Sequence, residues 1–298
     1  MKSETYILPA LLAVESRLTH MAGTEGNEAV LMREPVVTPS GVRMVPTITG
    51  NALRHRVVRA PLARHLVESW DLYGALDEMQ LNFLFHGGSL TEKGGRESLS
   101  QQQDVYRLLS LAKLLGLSLP STPIPGQLQV SMGVLVCAEN QDRLRSFVPE
   151  KWLSGLNLRP AREFVQGWQY TRSNSTISTP DLLSSEQGLS DSSQMIYGGE
   201  SVAAGARFVS EFRANRVDKI TIGALLYALD RWQNEGGAIG GQASRGHGRI
   251  RLLVGFPEGW EYAVEQYKEH LLASREEGRA LLERLFPRKG KKRASKSA

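Results

Sequence analysis

Setting two irregular stretches aside, the hydrophobic periodicity of this 298-residue chain runs strand, helix, strand, strand, helix, strand. Tyr6 to His20 alternates as a first strand. TITGNALRHRVVRAPLARHLVESW takes helical spacing with Thr49 or Asn51 as N-cap, and GQLQVSMGVLVCAE reads as the second strand. AAGARFVSEFR alternates again, TIGALLYALDRWQ repeats apolar residues at helical spacing, and GRIRLLVGF closes the series. That order is the β-α-β-β-α-β unit of ferredoxin-like α+β folds, an architecture shared with RNA-recognition modules.

The expected layout is a ferredoxin-like (RRM-like) palm from residues 1–69, 119–139 and 201–256, with a helical insertion at 70–118. Residues 140–200, dense in Ser, Thr and Asn, read as a loop or extended hairpin; 257–286 form a C-terminal helix and 287–298 a basic disordered tail. Pro61 implies a kink or break in the first helix, because it lacks an N–H and its ring collides with the preceding turn. The Gly- and Pro-rich segment 20–46 reads as a loop.

Charge is unevenly placed. The net +5 is carried by the tail, whose six Lys/Arg leave the other 286 residues at −1. Two acid-free spans remain locally basic: Pro35–Val67, with Arg43, Arg54, Arg56, Arg59 and Arg64, and Gly236–Pro257, with Arg245, Arg249 and Arg251. The one cysteine, Cys137, excludes internal disulfides and multi-thiolate zinc, and its apolar neighbours suit a buried thiol. No apolar run crosses a bilayer and the first residues lack a leader pattern, so a cytoplasmic protein is expected, without membrane contact. The histidines show no metal-ligand spacing, and neither metal nor cofactor is expected. The tryptophans, Trp152 and Trp168 among them, read as core.

GGAIGGQASRGHGRIRLLVGF, Gly236–Phe256, follows a helix and precedes a strand, the reverse of phosphate loops that open a helix, and it lacks Gly-Lys-Ser/Thr. Its glycines instead permit close backbone approach, with Arg245 and Arg249 as cationic donors, a surface suited to a nucleic-acid backbone. GNALRHRVVR offers a second patch, grouping Arg54, His55 and Arg59 at a helix start whose free N–H groups suit phosphate.

Four blocks in chain order resemble the RAMP superfamily of CRISPR effector proteins, within it the backbone subunits that polymerise along guide RNA. VPTITGNALRHRVVR is similar to the block opening the first helix, GGESVAAGARFVSEF to the block restarting the core, TIGALLYALDRWQNEGGAIGGQASRGHGRIRL to the terminal glycine-rich block, and YTRSNSTIS to the thumb hairpin. FLFHGGSL and the chain length resemble most the type IV backbone subunit, whose complexes are plasmid-associated and target DNA. The resemblance implies crRNA contacts from Asn51, Arg54, Arg56 and Arg59 on the helix, from Arg172, Asn174 and Ile177 on the thumb, and from His20, Arg245, His247 and Arg249 beside the glycine-rich loop. It also implies target DNA or RNA paired to the guide, further copies of the chain in a helical array, and other CRISPR effector subunits as partners.

Relatives that cut target RNA carry an aspartate before a Pro-Val pair, where VLMREPVV has Arg33 and Glu34; no cleavage by this subunit is therefore expected. Three alternatives stay open: a RAMP-superfamily endoribonuclease using His20 and His247 as acid and base, a backbone subunit of a type I or type III complex, and a small-molecule enzyme.

Overall fold

The computed structural model describes residues 3–88, 99–119, 122–147, 158–173 and 194–287. Thirteen strands occur among them. β1 (Glu4–Val14) is followed by β2 (Met21–Glu25), β3 (Glu28–Leu31), β4 (Arg33–Thr38) and β5 (Gly41–Ile48). β6 (Leu117–Ser118) and β7 (Pro123–Ile124), which pair with each other, come next in sequence, followed by β8 (Leu128–Val130) and β9 (Gly133–Leu135). β10 (Val165–Ser173), β11 (Gln194–Val202), β12 (Arg207–Val217) and β13 (Ile250–Val254) complete the set.

The palm is an antiparallel sheet in the order β13-β1-β12-β9, with β8 also on β12. Counting β8 and β9 as one interrupted strand, this is the 4-1-3-2 order of a ferredoxin-like α+β fold. Alternation explains it: Leu8, Ala10, Leu12 and Val14 of β1 and Phe208, Phe212 and Ala214 of β12 are buried beneath the two palm helices. The second helix, Lys219–Asn234, is capped by Asp218, whose carboxylate accepts from the Thr221 amide at 2.8 Å and pairs with Lys113 of the insertion.

Several expectations are corrected. Segment 20–46 is not a loop: β2–β3 and β4–β5 are two hairpins, whose Gly26 and Gly41 adopt positive φ at the turns. β4–β5 extends the palm sheet beyond β9, while β2–β3 joins β10–β11 in a second sheet. The first strand stops at Val14, and Leu18 makes an isolated bridge to Val202. Cys137 lies beyond β9 rather than inside a strand; it is buried, and burial pushes its thiol up to about 12.

The first helix is not broken at Pro61. An α-turn (Gly50–Leu53), a π-turn (Arg54–Arg59) and an α-helix (Ala60–Ser69) follow without interruption, and the Ala60 amide donates to the His55 carbonyl. The wider turn just ahead of Pro61 accommodates the ring and the missing donor.

The final helix is two, Trp260–Ala273 and Arg275–Leu285, separated at Ser274. Gly278 explains their seat: a Cβ there would lie 2.0 Å from the Trp70 ring, and the Trp70 Nε1 donates to the Leu271 carbonyl at 2.7 Å. Within 70–118 the described residues are mainly helical, including Leu99–Leu108 and Ser110–Leu115. None of the described helices is long and apolar enough to cross a membrane.

Candidate nucleic-acid interface

Three segments distant in sequence converge at one end of the palm, and residues 17–20 join them. The Thr19 hydroxyl hydrogen-bonds the His247 Nδ1 at 2.8 Å, and the Thr19 carbonyl accepts from the Gly241 amide at 2.8 Å. The next residue, His20, turns to the first palm helix, where its Nε2 accepts from the Thr49 amide at 3.1 Å. Thr49 in turn caps that helix, its hydroxyl accepting from Ala52. Leu18 exchanges backbone hydrogen bonds of 2.8 and 2.9 Å with Val202, at the base of the β10–β11 hairpin.

The glycine-rich loop is folded tightly against this strip. Gly240 has φ +86°, and a Cβ on it would stand 2.3 Å from the Thr19 carbonyl oxygen. Gly248, with φ +81°, would place a Cβ 2.0 Å from the Ile239 carbonyl oxygen. Both positions require glycine through conformation and space together. The backbone thus closes on itself and on residues 17–20, leaving Arg245 on its exposed outer side.

Arg245 meets the hairpin. Its guanidinium carbon lies 3.9 Å from the centroid of the Tyr170 ring, a cation–π contact, and it also donates to the Gln242 side chain. Tyr170 belongs to an aromatic ladder on one face of the hairpin, with Trp168 at 5.4 Å and Tyr197, its cross-strand partner, at 5.3 Å. The Trp168 and His247 rings meet edge to face, centroids 5.7 Å apart. The loop and the hairpin are therefore one surface.

Electrostatics keep this surface cationic and its histidines neutral. Burial lowers the His20 pKa; burial, then Arg17 and Arg245, lowers that of His247. Arg17, Arg54, Arg56 and Arg245 make no ion pair with a carboxylate among the described residues. Arg249 does, with Glu15 at 3.0 Å, and Arg251 shares that carboxylate at 3.5 Å.

Of the sequence-expected residues, the fold brings His20, Asn51, Arg54, Arg245 and His247 to this end of the palm, and Arg56 is exposed on the same helix. Arg59 is not on that surface: it is buried, and its Nη2 donates to the Gly116 carbonyl at 3.0 Å. Arg249 is exposed but held by Glu15. Arg172 lies near the far end of β10, while Asn174 and Ile177 lie outside the described residues. Sequence reasoning missed Arg17, Tyr170 and Tyr197. Glu34 is part-buried and paired with Arg143, and the neighbouring Arg33 pairs with Glu200 at 2.8 Å. No group of three His, Cys, Asp or Glu side chains is placed to hold a metal among the described residues.

No protein-family model matches the chain, and no curated protein sequence does. Among solved structures, a chain of a type IV-B CRISPR complex superposes with a TM-score of 0.55 at 16% identity, over 85% of this chain and 92% of that one. Csc2 of Thermofilum pendens gives a TM-score of 0.40 at 15% identity, over 94% of this chain and 78% of that one. The first likeness bears out the ferredoxin-like palm expected from the order of strands and helices: this chain has the fold of a subunit of a type IV-B CRISPR complex.

Proposed function

We propose that the chain is a non-catalytic backbone subunit of a CRISPR ribonucleoprotein, most like the type IV effector, that polymerises along crRNA and presents the guide to target DNA. The observation that carries this reading is the joint surface of glycine-rich loop, helix start and hairpin, on which Arg17, Arg54, Arg56 and Arg245 have no carboxylate partner among the described residues. Such a surface binds a phosphate backbone without reading sequence, because the cations meet phosphates and the aromatic–guanidinium stack accepts any base. The β10–β11 hairpin, rising from that surface, fits the part of a thumb between successive guide segments.

The nuclease reading is weaker on geometry. His20 commits its Nε2 to the Thr49 amide and His247 its Nδ1 to Thr19, so the two imidazoles serve different partners. Binding of labelled crRNA and of an unrelated RNA of equal length, across a salt series, tests the proposal. Equal affinities for the two RNAs that fall steeply with salt support it; binding insensitive to salt contradicts it.

A further inference from the structure

Beside the palm, two π-turns face one another and gather four cationic or ionisable side chains. One is Arg54–Arg59 in the first palm helix; the other, Asn82–His86, ends at His86. A π-turn closes each residue onto the fifth along, so Arg54 and Arg59 stack on one face rather than diverging as in an α-helix. His55 meets His86 across the gap, ring centroids 5.6 Å apart and 16° from parallel.

Among the described residues, the cluster has donors without acceptors. Arg59 is 6% exposed; its Nη2 reaches the Gly116 carbonyl, whereas its Nη1 is buried without a partner. The Nε of Arg54 is likewise buried and unpartnered. Gly87, at φ +92°, lies against the same guanidinium, where a Cβ would stand 3.3 Å from the Arg59 Nη2. The described residues whose charges act on Arg59 and His55 are positive or ionisable to positive: burial, then Arg54, lowers the Arg59 pKa to about 10, and burial, then Arg56, His86 and Arg59, lowers that of His55. A buried guanidinium with an unmet donor and only like-charged neighbours is costly unless an anion completes it. His86 and Arg56 are exposed, which leaves the cluster an opening to solvent.

We propose that Arg54, Arg59 and the stacked His55–His86 pair form a receptor for a phosphoryl oxyanion. Two forked guanidinium groups suit a tetrahedral oxyanion, and the imidazoles add donors at its rim. The phosphoryl group comes either from a free phosphate or mononucleotide, or from the phosphodiester of a nucleic-acid strand. Arg54 is shared with the surface proposed for guide RNA, but the response to inorganic phosphate tested below stands or falls without that reading.

The test is thermal unfolding of the full chain titrated with inorganic phosphate, with chloride at matched ionic strength as control. A saturable rise in midpoint with phosphate, absent with chloride, is expected. Arg59→Met should raise the half-saturating concentration at least ten-fold. Should that buried substitution fail to fold, the His55→Gln/His86→Gln double variant, altering a half-buried and an exposed side chain, should raise it several-fold. A homopolymeric oligonucleotide that displaces phosphate identifies the strand as source; displacement by a nucleoside monophosphate alone identifies the free ligand. No saturable response to phosphate, or the same response in folded variants, overturns the proposal.

Discussion

The Arg245 guanidinium lies over the Tyr170 ring, 3.9 Å from its centroid, and thereby fastens the glycine-rich loop of the palm to the β10–β11 hairpin. Neither residue orients the other through backbone pairing, so this contact, together with the His247–Trp168 edge contact, sets how the two parts of the surface meet.

Tyr170→Leu should therefore weaken RNA binding although Tyr170 is no cation. Loss of a cation–π contact of about 1 kcal/mol corresponds to roughly five-fold in affinity. Tyr170→Phe, which keeps the ring, should bind within about two-fold of the native chain. Equal losses in both variants, measured by titration at one salt concentration, would assign the effect to the hydroxyl instead.

Unpaired cations should dominate the salt response. The Arg17→Ala/Arg245→Ala double variant should flatten the slope of log affinity against log salt by about 1.4, near 0.7 for each lost contact to single-stranded phosphate. Arg249→Ala should change it less, because Glu15 already holds that guanidinium. The reverse ranking would move the RNA path to the β13 edge.

Gly248→Ala should destabilise the fold by about 3 kcal/mol, since the new Cβ meets the Ile239 carbonyl and the residue is held at positive φ. Gly205→Ala, at φ +90° but with open space around it, isolates the conformational part and should cost about 1 kcal/mol. Urea denaturation of the two variants compares them directly.

Acid should loosen the helical layer. His65 stacks on Tyr227 at 4.2 Å, and its pKa is pushed down to about 4, by burial first and then by the Arg231 charge, with Glu68 opposing. The unfolded chain therefore binds more protons between pH 4 and the ordinary histidine value of about 6.5, so stability rises with pH across that window and is lost as pH falls through it. His65→Phe should flatten this dependence, leaving the smaller slope due to His20, His55 and His247, whose values are also lowered. An unchanged slope would show that His65 does not titrate with unfolding.

Cleavage tests the proposed absence of catalysis. Target RNA paired to the guide should stay intact with native protein and with Glu34→Ala, whose main effect should be on stability through the lost Arg143 pair. Cleavage by native protein that Glu34→Ala abolishes would make Glu34 a catalytic residue.

The palm was legible in the sequence because its strands and helices carry long, clean periods: Leu8 to Val14 alternate over one strand, and Leu225, Leu226 and Leu229 follow the helical repeat. Segment 20–46 was not, because its strands are short and half-exposed and its turn residues outweigh the alternation. The helix at Pro61 misled for a different reason: a π-turn ahead of a proline has no sequence period to announce it. At the site, the glycines and Arg245 were readable from spacing. Tyr170 and Tyr197 were not, since they meet only across the register of a hairpin, and Arg17 read as part of a strand that in fact ends at Val14.

The central claim is that copies of this chain coat a guide. Protein co-expressed with a CRISPR array and purified intact can be weighed by native mass measurement, and its nucleic acid sized. The account predicts RNA of defined length bound to several copies of the chain. Protein that emerges free of RNA, and stays monomeric when guide RNA is added, would contradict it.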